Sequence, residues 1–311
     1  MRQDQKVRVG LMVLVAGMLA RMAGAAGDAP AAADVAQPGG GARAVSGQAW
    51  SLDLGEGAKM EFVWIEALKG WVGKYEVTNG EYRRFKPEHP KAASYKVYHG
   101  VVIDGDRQPV AYVSYDDAVA FSQWVSATHA AQLAEGYTVR LPDGDEWTTL
   151  AQCGDGRKYP WGNEWPPKYG NYRDESGVKA FAHWKEQGVL IAGYDDGFPA
   201  ACPVEQSGKS EWGLYGVGGN VWELTAEIKE ENCVMRGGSW HRRGEGSDLH
   251  GTRRQYPRIS RDSGVGFRVV ALPAAAAPTA APGAPPNAGA SKAEPEPSPA
   301  LPGSNASRSS P

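Results

Sequence analysis

Between residues 239 and 258 the chain gathers Ser239, His241, Arg242, Arg243, His250 and Arg254, with Arg253 and Arg258 among them. A hydroxyl, two imidazoles and several guanidinium groups make a cationic, hydrogen-bonding set. Guanidinium pairs bidentately with oxyanions, so the set suits a carboxylate, phosphate, sulfate or sugar-acid ligand. The same arginines can instead fasten loop carbonyls and aspartates such as Asp248 and Asp262, because loop-rich folds need many side-chain to backbone bonds. His241 and His250, nine residues apart, can also ligate a metal as neutral imidazoles. The only thiols are Cys153, Cys202 and Cys233. Three are too few for a four-cysteine zinc site or a disulfide-dense scaffold. They allow one bridge and one free thiol, or three free thiols; export favours a bridge without choosing the pair.

These groups need a scaffold, and composition narrows it. The chain has 311 residues, a net charge of −3 and a pI near 6.1. No basic excess draws it to nucleic acid or anionic lipid. No apolar run of membrane-spanning length occurs outside the N-terminus, which excludes a polytopic membrane protein. The 40 Gly, 11 Trp, 13 Tyr and 22 Pro speak for a loop-rich fold held by aromatics.

Residues 1–26 read as a secretory signal: Arg2, Lys6 and Arg8 precede a short apolar stretch, and Ala23-Gly24-Ala25 suits cleavage. An uncleaved anchor helix is the alternative. The expected location is therefore exported, periplasmic or extracellular, with no membrane span after cleavage. Residues 27–48 read as a flexible linker and 273–311 as a disordered Pro/Ala/Ser tail that buries too little to offset its chain entropy. One domain of 49–272 remains.

Within it, Met60 to Ile65 and Trp71 to Val77 read as strands. Thr78 with Glu81, Ser114 with Asp117, and Asp143 with Glu146 predict three helix starts. Val139 to Leu141, Val234 to Arg236 and Gly266 to Ala271 read as further strands. From Gly154 to Gly219 there is no sustained period, and a stretch of that kind is usually functional or ion-stabilised. The elements suggest α+β.

In this order and spacing, several motifs resemble the sulfatase-modifying factor family. They include Gly73-Lys74-Tyr75-Glu76-Val77-Thr78-Asn79, Arg140-Leu141-Pro142, Tyr159-Pro160-Trp161-Gly162-Asn163, Gly219-Asn220-Val221-Trp222-Glu223, Arg236-Gly237-Gly238-Ser239-Trp240 and Gly266-Phe267-Arg268. The resemblance covers roughly 58–272 and implies a variant C-type-lectin-like fold with long irregular loops. The formylglycine-generating enzymes of that family oxidise a sulfatase cysteine with dioxygen and copper(I), held by two thiolates. The resemblance places those thiolates at positions occupied here by Arg242 and Ser247. Copper is therefore not expected, and the chain reads as an exported binding or accessory module for an anionic or peptide ligand, a sulfatase among the candidates. The alternative is a formylglycine-generating or related metal-dependent oxidase working through a divergent site.

The resemblance also implies a calcium site at Asn171, Tyr172, Asp196 and Phe198, using side-chain oxygens and backbone carbonyls. An ordinary Asx turn at Asn171 and a tight turn at Asp195-Asp196-Gly197 are the alternatives. A second calcium site would use Glu223 with the carbonyls of Gly219 and Val221, but Gly216 stands where the family supplies an Asn side chain. The resemblance further casts Asn220 as a backbone clamp and Arg268 as an internal partner of a carboxylate or carbonyl.

Overall fold

A computed structural model describes residues 43–186, 191, 193–241 and 253–274. They belong to one compact unit beginning at Gly41. One sheet has the order β1 (Trp50–Gly55), β2 (Ala58–Ile65), β3 (Gly70–Gly73), β11 (Val270–Pro273) and β6 (Tyr137–Arg140). A second has the order β10 (Val265–Gly266), β7 (Trp222–Lys229), β8 (Asn232–Arg236) and β9 (Arg254–Pro257). A small hairpin pairs β4 (Val97–Tyr98) with β5 (Val101–Val102). The helices are α1 (Asn79–Phe85), α2 (Tyr115–Thr128), α3 (Gly144–Ala151), α4 (Glu175–Ala180) and α5 (Ala182–Glu186).

The three expected helix starts are present, each with a complete capping box: Thr78 with Glu81, Ser114 with Asp117, and Asp143 with Glu146. The reciprocal bonds satisfy backbone donors that a helix start leaves open. They also orient α1 and α2 so that Tyr82 and Phe121 stack at 5.4 Å in the core with Phe62, Trp71 and Phe267. The core begins before β1. Ala44, within the expected linker, is buried, and its N–H donates to the Gln132 carbonyl.

Two strands are shorter than the sequence suggests. β3 ends at Gly73, and from there Gly73 and Val77 donate irregularly to the carbonyls of Val269 and Phe267. The run 266–271 divides into β10 and β11 because the buried Arg268 between them turns to a partner on β7. The region 154–219 also holds two short helices; Asp174 caps α4 by accepting from the N–H groups of Ser176 and Gly177.

Glu81 is buried within its capping box, where its carboxylate accepts from the Thr78 N–H at 2.8 Å. Burial pushes its pKa from the ordinary 4.5 up to about 7. The folded pKa lies above the unfolded one, so this group's contribution is fully present below pH 4.5. It is lost as pH rises through 7. The loss is on the order of 3 kcal/mol. Glu81→Gln keeps the acceptor and removes the charge, so its unfolding free energy should stay flatter than the wild type's between pH 4.5 and 7. Identical pH profiles in urea melts would contradict this.

Candidate functional site

The loop after β8 brings together one pair from the arginine-rich set. Ser239 is fully buried and its Oγ lies 3.3 Å from His241 Nδ1. On the other side His241 Nε2 lies 3.5 Å from Asp262 Oδ1. Asp262 is itself held by the Gly264 N–H at 2.9 Å, and its carbonyl accepts from Tyr112 N–H. Gly264 leaves the space for the imidazole: a Cβ there would fall 2.2 Å from the His241 ring. Asp262, expected as an anchor for arginine, thus faces histidine.

The other members of the set divide. Arg242, Arg243, Ser247, Asp248 and His250 lie outside the described residues. Arg254 opens β9, opposite Met235 on β8. Arg258 does not join Ser239; it bonds Asp116 on α2 and lies over the Tyr115 ring. Arg253 points to Asp145 and Glu227, 3.8 Å from each. Arg258 is thus tethered, whereas Arg253 has only long, solvent-exposed pairings.

Beneath this loop lies a buried polar cluster. Arg268 is wholly buried and donates to both oxygens of Glu223, and to the carbonyls of Gly73 and Tyr215 at 3.0 and 2.7 Å. Burial opposes the Arg268 charge, but Glu223 outweighs it and its pKa is raised. Trp147 Nε1 donates to Glu223 at 2.7 Å. Glu76 completes the cluster; burial, followed by the Glu223 charge, holds its carboxyl well above the usual range. Asn220 joins the layers, with a left-handed φ of 61°. Its Oδ1 accepts from Cys202 N–H and Asn171 Nδ2, and its Nδ2 donates to Glu76 at 2.8 Å. The clamp and internal-partner roles expected of Asn220 and Arg268 are both seen.

This arrangement leaves Glu223 poorly suited to a second calcium site. Both of its oxygens are engaged by Arg268 and Trp147. A side chain at Gly216 would strike Glu76, since its Cβ would stand 2.6 Å from Oε2.

Three of the four residues in the first calcium set are joined by backbone-to-carboxylate hydrogen bonds. Asp196 accepts from the N–H groups of Tyr172 and Phe198, at 2.9 and 2.8 Å. Burial, then the neighbouring Asp174 carboxylate, pushes the Asp196 carboxyl up to about 8. Asp174 is fully buried, and its Oδ2 accepts from the Asp196 N–H. Asn171 is buried, with Nδ2 bonded to the Ala200 carbonyl and to Asn220 Oδ1, and with Oδ1 lacking a hydrogen-bond partner among the described residues. An unmatched buried amide oxygen and a pair of crowded carboxylates are each the kind of group that a hard cation takes as ligand. Asp174 was missed in the sequence, although Asp-Glu-Ser at 174–176 is a recognisable helix-start signal.

The three cysteines are free and buried, so the bridge favoured on grounds of export is not formed. Burial raises the Cys153 and Cys202 thiols and pushes Cys233 to about 11. Cys233 is further tied to the Tyr256 carbonyl at 3.1 Å. Among the described residues, no helix is long and apolar enough to cross a membrane.

Residues 28–272 match the family described as "Sulfatase-modifying factor enzyme 1-like domain". The formylglycine-generating enzyme of Thermomonospora curvata is 33% identical over 127 residues, which is 40% of this chain and 35% of that protein. The "Inactive C-alpha-formylglycine-generating enzyme 2" of Bos taurus is 33% identical over 153 residues, covering 47% and 42%. The chain thus spans less than half the length of these curated relatives. Among solved structures, Treponema denticola variable protein 1 superposes with a TM-score of 0.51 at 18% identity, over 72% of this chain and 99% of that one. The fold is accordingly the α+β, C-type-lectin-like one that the motifs imply.

Proposed function

The chain belongs to the sulfatase-modifying factor family, and from that premise we propose that it is an exported member without copper-thiolate oxidase chemistry, acting as a binding or accessory module. The absence of suitably placed thiols carries the proposal. Copper(I) selects soft sulfur ligands, and no cysteine follows Cys233 in the sequence. The residues at the two family positions are Arg242 and Ser247, a cation and a hard hydroxyl. The remaining thiols are buried, with pKa values raised by burial, so they are protonated near neutral pH and inert. The similarity to a relative named as inactive supports the same reading.

What the loop offers instead is hydroxyl, imidazole and carboxylate at Ser239, His241 and Asp262. His241 and Asp262 keep some exposure, and with Arg242 and Arg243, which follow His241 in the sequence, they suit hydrogen bonding to an anionic or peptide ligand, a sulfatase segment included. Competition for copper(I) against a coloured chelator tests the loss of the oxidase site. The full chain should leave the chelator loaded; transfer of one equivalent to the protein would overturn the proposal.

Calcium is part of the same reading. Asn171 and Asp196 would supply side-chain oxygens and Tyr172 and Phe198 their carbonyls, binding Asp174 and Asp196 into one neutralised site. Calcium at a hundredfold excess over its Kd should add about 2.7 kcal/mol of stability. Thermal melts with calcium and with chelator should separate accordingly, and Asp196→Asn should abolish the difference. Coincident wild-type melts would remove calcium from the account.

A further inference from the structure

Away from Ser239, two other imidazoles meet at the surface. The β4–β5 hairpin pairs Tyr98 with Val101, leaving His99 and Gly100 as a two-residue turn. Both have positive φ, 45° and 87°, the signature of a type I′ turn. Asn and Gly are the ordinary occupants there, and histidine is among the non-glycine residues enriched at positive φ. The turn leaves His99 exposed beside α5, where His183 is half-buried. The two ring centres lie 4.9 Å apart with planes 43° from parallel.

The elements carrying them are fastened from below. Tyr98 packs edge-on against Phe181 at 5.2 Å and against Trp240 at 4.7 Å. Phe181, Trp184 and Trp240 are all buried. Both imidazoles therefore stand on a formed aromatic base, not on two independent loops.

We propose that His99 and His183 form a two-imidazole site for a divalent transition ion: zinc(II), copper(II) or nickel(II). Such ions bind imidazole nitrogen at about 2.0–2.1 Å, which sets each ring centre about 3.2 Å from the metal. Two rings at angles of about 90–109° around one ion then have centres about 4.5–5.2 Å apart. The observed separation falls within that interval. Among the described residues no group of three His, Cys, Asp or Glu side chains converges. The remaining coordination positions are thus left to water or to a group from a bound partner. The site does not depend on the reading of Ser239 and His241, and it is distinct from copper(I) held by thiolates.

Isothermal titration of the tag-free full chain with zinc, copper(II) and nickel tests the proposal, alongside His99→Asn, His183→Ala and His241→Ala. Asparagine suits the positive φ of the turn, so His99→Asn removes the ligand and keeps the hairpin. The expected result is one ion per chain, with affinity about tenfold or more weaker in each of the first two variants and unchanged in His241→Ala. Nitrogen hyperfine structure from two imidazoles should appear in the copper(II) electron paramagnetic resonance spectrum. Full affinity in His99→Asn, or loss confined to His241→Ala, would overturn the assignment.

Discussion

Replacing Arg268 with methionine is expected to cost the fold about 3–5 kcal/mol, the usual penalty for removing one partner of a buried ion pair. The guanidinium is wholly buried, and so are the two carboxylates nearest it, Glu223 and Glu76. Its removal strands Glu223 and leaves the carbonyls of Gly73 and Tyr215 without their donor. Protonation relieves a stranded carboxylate. Glu76 is already held above the usual range by burial and by Glu223. In the variant Glu76 also loses the Arg268 charge that pulls its pKa down, so its folded-state value lies still further above the unfolded one, and the deficit should be smallest at acid pH and grow as pH rises. Urea unfolding at several pH values checks both the size and the trend. Adding Glu223→Gln to the variant should recover part of the loss, because one stranded charge disappears. A double variant less stable than the single one would show that the pair is not what Arg268 serves.

Asn220→Ala should be nearly as damaging, at about 3–5 kcal/mol, from two separable causes. The side chain accepts from the Cys202 N–H and Asn171 Nδ2 and donates to Glu76, all buried groups. Truncation leaves them unmatched. In addition, alanine tolerates a φ of 61° poorly. Asn220→Gly relieves the backbone strain alone and should recover about 1 kcal/mol relative to alanine. Equal stability of the two variants would assign the whole effect to the lost hydrogen bonds. Wild-type stability in both would refute the clamp.

Local chemistry was legible from the sequence. Thr78, Ser114 and Asp143 announce their helices because a capping box is complete within four residues. Asn220 and Arg268 were legible only through the motifs around them, since their partners Glu76 and Glu223 lie 144 and 45 residues away. What could not be read was decided by tertiary contact. Nothing local shows that Arg268 breaks the run 266–271 in two, because the carboxylate that turns it inward belongs to another strand. Trp184 sits in an unpatterned stretch, yet it is buried with its ring 4.9 Å from Phe181 and 5.9 Å from Trp240. In the candidate site, the proximity of Ser239 and His241 followed from their spacing of two residues. The approach of Asp262, and the departure of Arg253 and Arg258 to their own carboxylates, depended on how β9 and the loop after it fold back.

The proposed loss of copper-thiolate oxidation is open to a direct test. Incubating the full chain with a sulfatase-type peptide containing Cys-x-Pro-x-Arg, copper and dioxygen tests it most directly, with the peptide followed by mass spectrometry. The peptide is expected to keep its cysteine and its mass. Appearance of the lighter formylglycine peptide, dependent on the protein and on copper, would contradict it.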